Sequence, residues 1–187
     1  MEIKGITKSF GVKKILKNVS IDIPDGSVSV IYGTSGRGKT TLLRIIMGLE
    51  NPDGGEISGV PKRISAVFQE DRLPLELSPV ACIKMTSNAA KSEILTHLAE
   101  AGLSGHENRP VRELSGGMKR RVAIVRAVIH PSELIVMDEP FTGMDADTKK
   151  LVADYIMRHR CGRTVIAVSH SPEDAELLGG KAIMLVP

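Results

Sequence analysis

The chain alternates short apolar runs with longer amphipathic ones. Residues 2–8 and 18–23 read as short strands, the second closed by the turn signal Pro24-Asp25-Gly26. Phe10-Gly11 falls in the loop between them. A compact apolar strand, 27–32, runs into a glycine-rich loop, and a helix over 39–48 leads out of it, with Gly48 suited to end it. After the turn cluster Asn51-Pro52-Asp53-Gly54-Gly55, Ile57 and then Arg63–Phe68 read as further strand, ending at Gln69. The pattern then changes. From Glu70 to Glu113 no strand is evident, and residues 79–87 and 91–101 look helical, with Ile94, Leu95, Leu98 and Ala101 on one stripe. Leu114-Ser115-Gly116-Gly117 opens a long helical run to about Ile129. Leu134-Ile135-Val136-Met137 is continuously apolar, as in a strand buried on both faces of a parallel sheet, and Thr164–Val168 repeats the pattern after a helix over 145–159. Ser171 as cap and Pro172 at the first helical position predict one more helix start, and strand 181–186 follows.

Strands alternating with helices imply an α/β fold with a mostly parallel sheet. With 187 residues, a single domain is expected, its core formed by 1–69 and 131–187 and a helical insertion over approximately 70–130. Composition changes this picture little. Aromatics are 3% of the chain and Trp is absent, so the core must be aliphatic. The formal charge of +3 is scattered, and its densest basic run, Lys119-Arg120-Arg121, reads as a solvated helix face. No aromatic residues interleave it, so no nucleic-acid partner is expected. Cys82 and Cys161 stand far apart without a C-x-x-C pair and read as reduced thiols. Met1 is followed by Glu2, Lys4 and Lys8, which predicts no leader, and no apolar run approaches a membrane span.

The candidate chemistry begins at the glycine-rich loop. Gly33-Thr34-Ser35-Gly36-Arg37-Gly38-Lys39-Thr40 fits G-x-x-x-x-G-K-[ST], the phosphate-binding loop of nucleoside triphosphatases, in the required setting between strand and helix. Its bare N–H groups and the following helix N-terminus suit phosphate oxygens. Lys39 would reach the β- and γ-phosphates, and the Thr40 hydroxyl would ligate Mg²⁺. Asp138-Glu139 ends a buried strand where ligands of open α/β sheets bind. That suits Asp138 to the phosphate-bound Mg²⁺ and Glu139 to orienting and partly deprotonating an attacking water. Ser115 can cap a helix whose first turn is bared by Gly116 and Gly117, a second anion-binding terminus.

Phosphate loop, Gln69, L-S-G-G, Asp138-Glu139-Pro140, Asp145 and His170 follow one another in an order that resembles ABC-type ATPase domains, from Phe10 to His170. The resemblance implies a triphosphatase core with N-terminal antiparallel strands, ATP and Mg²⁺ as cofactors, and roles position by position. Phe10 matches the aromatic that stacks on adenine, and Gly33 through Thr41 match the phosphate loop. Gln69 matches the glutamine that reaches Mg²⁺ and the attacking water and senses the membrane partner. Ser115, Gly116 and Gly117 match the signature segment, which contacts the γ-phosphate held by the opposite subunit. Asp138 matches the Mg²⁺-linked acid, Glu139 the general base, Asp145 the loop acid crossing the dimer interface, and His170 the histidine at the γ-phosphate. The implied machine is a head-to-tail dimer sandwiching two ATP molecules. It would power a prokaryotic importer from the cytoplasmic face of the cell membrane, with membrane subunits docked near residues 69–85 and a separate substrate-binding protein.

Three features depart from the family pattern. Met118 replaces the usual Gln after L-S-G-G, which some importer subgroups also show, and Arg37 is uncommon in the loop, with its side chain expected to point outward. Phe68-Gln69-Glu70-Asp71-Arg72-Leu73-Pro74 resembles nitrate, sulfonate and taurine importer ATPases, although the aromatics that usually follow are absent. The short stretch after His170 predicts no C-terminal regulatory domain. The rival is a soluble ABC-type ATPase of DNA repair or translation, which usually carries coiled-coil insertions or two ATPase halves. A non-hydrolysing regulator is disfavoured by the presence of Lys39, Asp138, Glu139 and His170.

Overall fold

The computed structural model describes residues 1–185. Strands β1 (Glu2–Phe10) and β2 (Lys13–Asp22) pair antiparallel, β3 (Val28–Tyr32) leads to helix α1 (Lys39–Ile46), and β4 (Gly54–Ser58) returns to the free edge of β1. The chain then enters β5 (Ile64–Val67), followed by α2 (Pro79–Lys84), α3 (Lys91–Glu100), a short 3₁₀ turn at Val111–Glu113 and α4 (Gly116–Ile129). Strand β6 (Leu134–Asp138), α5 (Ala146–His159), β7 (Thr164–Ser169), α6 (Glu173–Leu177) and β8 (Lys181–Met184) complete the order. Val186, the last residue of the strand expected over 181–186, lies outside the described residues.

Two sheets result. One is antiparallel, in the order β2-β1-β4, and the other is parallel, in the order β5-β6-β7-β3-β8. Every residue of β6 and β7 is buried, because alternate side chains of these central strands enter two different cores. Ile135 and Met137 join α4 and α5 on one face, while Leu134 and Val136 join α1 and the antiparallel sheet on the other. Parallel pairing brings the carboxyl ends of β3, β5, β6 and β7 to one edge of the sheet. That edge carries the phosphate loop, Gln69, Asp138-Glu139 and His170.

Three sequence expectations need correction. Phe10 is the last residue of β1, paired with Lys13, and not part of a loop, while β2 starts well before residue 18. Register shifts along this pair, with Asn18 at a positive φ of 55°, break the alternation that marks a strand in sequence. Ser171 does not cap α6. Pro172 stands at its N-cap without a side-chain cap bond, and Ser169 Oγ takes the local role, accepting from Ser171 N at 3.1 Å and pairing with the buried Asp174 carboxylate at 2.5 Å. The third correction, at Arg120, concerns the site.

Candidate nucleotide site

The phosphate loop turns into α1 through Gly38, at φ 87°. A Cβ there would lie 2.7 Å from Ile15 Cγ2 and 2.8 Å from Leu16 Cδ2, so the loop can press against β2 only with glycine at this position. Lys39 is buried, and its ammonium donates to Gly33 O at 2.7 Å and Thr34 O at 3.5 Å. It also faces His170 Nδ1 at 3.4 Å and Glu139 Oε1 at 3.8 Å. An ammonium has no acceptor, so Nδ1 of His170 accepts and its Nε2 is left to donate to Glu139 Oε1 at 3.0 Å. Residues 39, 139 and 170, far apart in sequence, thus meet through the ends of three elements.

The cleft they border measures about 330 Å³ and is lined further by Phe10, Ser35, Gly36, Thr40 and Thr41. Phe10 is 50% exposed at its rim, with Lys8 Nζ 5.3 Å from the ring centroid. Arg37 donates to Thr34 Oγ1 at 2.6 Å and, unlike Ser35 and Gly36, does not line the cleft. A neighbouring cavity of about 210 Å³ lies between Thr40, Arg44, Phe68, Gln69, Arg72 and Asp138.

Burial raises the Asp138 carboxyl above its ordinary value, against the opposing pull of the Thr40 hydroxyl, Arg120 and Lys39. Its Oδ1 is buried without a hydrogen-bond partner. A desolvated carboxylate oxygen beside a threonine hydroxyl is the donor set that a hard divalent cation takes, so these residues fit Mg²⁺. Glu139 is likewise raised by burial, lowered by His170 and Lys39, and raised again by Asp138. Its backbone is left-handed at φ 53°, an uncommon conformation for a residue with a Cβ.

The signature residues sit elsewhere. Ser115 Oγ accepts from Met118 N at 3.3 Å and caps α4, as the sequence predicts, with Gly116 exposed. Gly117 packs close to the loop before α5, where a Cβ would lie 3.1 Å from Gly143 O. Together with Thr142, Gly143, Gln69, Glu139 and His170, Ser115, Gly116 and Gly117 line a third cavity of about 630 Å³. Among the described residues, none of the signature segment lines the phosphate-loop cleft. Asp145 enters neither cavity; it caps α5, accepting from Thr148 N at 2.8 Å, and that bond holds its carboxyl below the ordinary value.

Arg120, which the sequence places on a solvated face, is only 4% exposed. Its guanidinium donates to the carbonyls of Phe68, Asp138 and Glu139 and pairs with Asp71 Oδ1 at 2.9 Å. The α4 turn carrying it packs over the ends of β5 and β6, which buries the middle arginine of Lys119-Arg120-Arg121. Arg121 instead reaches Ala101 O at 2.9 Å and Gly102 O at 2.7 Å.

Residues 16–142 match the family model for the ABC transporter. This chain belongs to that family. It is 38% identical to an aliphatic sulfonates import ATP-binding protein of Rhodococcus jostii, over 99% of this chain and 70% of that protein. A protein of the same description from Nocardia farcinica is 40% identical, over 99% and 77%. Among solved structures, a dimeric bacterial ABC transporter cassette superposes with a TM-score of 0.84 at 26% identity, covering 98% of this chain and 94% of the other. A post-hydrolysis cassette bound to ADP and Pi gives 0.83 at 28% identity, covering 98% and 93%. The fold is that of an ABC cassette.

Proposed function

We propose that the chain is the ATP-hydrolysing subunit of an ABC importer and that it works as a head-to-tail dimer. The observation that carries this reading is the meeting of Lys39, Glu139 and His170 within 3.0–3.8 Å at the mouth of the phosphate-loop cleft. Phe10 stacks on the adenine, and residues 33–41 cradle the phosphates, with Lys39 leaving Gly33 O for the β- and γ-oxygens. Thr40, Asp138 and Gln69 would hold Mg²⁺, which would supply neutralisation of the phosphate charge. Glu139, with its pKa raised by burial, is poised to take a proton from the water that attacks the γ-phosphorus. His170 orients Glu139 through Nε2 and touches the γ-phosphate.

The second copy contributes Ser115, Gly116 and Gly117 to the γ-phosphate and Asp145 to the interface. This accounts for a signature segment that stands outside its own chain's cleft. Residues 70–130 act as the helical subdomain, and membrane subunits dock near 69–85, where Leu75 and Met85 are exposed apolar side chains. Import is favoured over a soluble role by the relatives, which are import ATP-binding proteins. The residues are therefore expected to work at the cytoplasmic face of a membrane, beside a substrate-binding protein.

The test is Glu139→Gln. Mg-ATP turnover should fall by about 10²-fold or more while ATP binding persists and the protein elutes as an ATP-dependent dimer. Turnover near that of the unmodified protein would remove Glu139 as the base.

A further inference from the structure

We propose that Arg120 is a positioning residue, aiming the side chains of Gln69 and Glu139 by holding the peptide planes on both sides of each. The inference rests on the reading that those two side chains handle the attacking water.

The geometry is unusual in what the guanidinium touches. Toward β6 it donates to the carbonyl of Asp138, and to that of Glu139 from Nη2 at 2.8 Å and Nε at 3.2 Å. Those two carbonyls belong to the peptides before and after the Glu139 Cα. Toward β5 it donates to the carbonyl of Phe68 and, at 3.4 Å, to that of Gln69. These flank the Gln69 Cα in the same way. Fixing both planes around a Cα fixes φ and ψ, and with them the direction of the Cα–Cβ bond.

All four carbonyls lie where the ladder between β5 and β6 has ended, the last pair being Val67 with Met137. Glu139 O also accepts from Thr142 N at 3.3 Å, and the other three need donors from elsewhere. Arginine suits the position because it offers five N–H groups in a rigid fork and stays charged at any working pH. A lysine ammonium could serve one strand end or the other with fewer bonds. The charge is buried, and Asp71, in the loop just past Gln69, pairs with it at 2.9 Å. Asp71 therefore draws the Gln69 loop toward the same anchor.

Glu139 has particular need of such support. Its left-handed backbone, φ 53°, persists only where surrounding contacts determine it. One of these contacts is the bond from Glu139 N to Val168 O at 3.0 Å; on the carbonyl side Thr142 N donates to Glu139 O at 3.3 Å and the Arg120 fork adds its bonds.

The experiment measures kcat and KM for Mg-ATP separately on the full chain carrying Arg120→Lys, Arg120→Gln or Asp71→Asn. Arg120→Gln should lower kcat on the order of 10²-fold, with KM within about threefold of the unmodified protein. Arg120→Lys should recover part of that loss. Asp71→Asn, which keeps the backbone bonds, should lower kcat by roughly threefold to tenfold, again with little change in KM. ATP-dependent dimerisation in the Glu139→Gln background should survive the addition of Arg120→Gln.

Unchanged kcat in the Arg120 variants would overturn the proposal. So would loss of the ATP-dependent dimer, which would make Arg120 a support for the signature helix. If both Arg120 variants fail to fold, Asp71→Asn decides: a lower kcat at unchanged KM supports the proposal, and an unchanged kcat overturns it. Glu139→Gln alone separates the two readings. Retained turnover there defeats the assignment of Glu139 as base, whereas a dead Glu139 variant beside fully active Arg120 variants defeats only the role of Arg120.

Discussion

The two glycine-rich helix starts of this chain are built differently. At α1, the loop is answered from within the chain: Lys39, Glu139 and His170 converge on the cleft, and Asp138 stands behind Thr40. At α4, Ser115 and Gly116 are exposed and open onto an adjoining cavity that shares Gln69, Glu139 and His170 with the cleft but, among the described residues, is not lined by the phosphate loop. Both ends present N–H groups and a favourable dipole, yet only the first has a lysine within its own chain positioned for a phosphate. The lesson is that a helix start becomes a nucleotide site through the groups opposite it; on the proposed dimer, the phosphate that α4 meets is held by another copy.

Breaking the first end should have the largest effect. Lys39→Ala removes the buried ammonium of the phosphate loop and should raise the Kd for ATP about 10- to 100-fold, measured by calorimetry. An unchanged Kd would mean that Lys39 remains bound to Gly33 O when nucleotide is present.

Breaking the second end should leave binding alone. Ser115→Arg is expected to keep the Kd for ATP within about threefold while abolishing the ATP-dependent dimer in light scattering. A dimer of normal stability in that variant would dissolve the contrast between the two ends.

The smallest effect sharpens the first end by pH. Burial raises the Asp138 pKa, so the folded state binds its proton more readily than the unfolded one. The resulting cost to stability is absent below the ordinary carboxylate range and grows as pH rises toward the folded-state value. Above that value it is fully present. Without nucleotide or metal, Asp138→Asn should therefore raise Tm at neutral pH by roughly 2–4 °C, with the gain vanishing as pH falls toward about 4. A gain that persisted at low pH would point to packing instead of charge.

Much of the site was legible because its signals are local. The Gly33–Thr40 spacing, the four apolar residues before Asp138 and the cap at Ser115 each report a backbone conformation that a few consecutive residues dictate. Phe10 was misplaced because the bulged β1–β2 pair hides its alternation. Arg120 was illegible for a different reason. In Lys119-Arg120-Arg121 nothing separates the middle residue from its neighbours, and only the packing of α4 over β5 and β6 gives it the carbonyls that compensate its burial. Asp71 follows from Arg120 and carries no signal of its own.

The sequence by itself determined which residues have the chemistry to hold a triphosphate, and that parallel strands must present them at one edge, because motif spacing and apolar runs act over short distances. The tertiary structure alone decided which of these residues meet. Lys39, Glu139 and His170 come into register through the order of the strands, and the signature segment is kept out of its own cleft by where α4 packs. It also turned one of three adjacent basic residues into a buried fork between two strand ends, since a guanidinium is stable there only when distant segments surround it with acceptors.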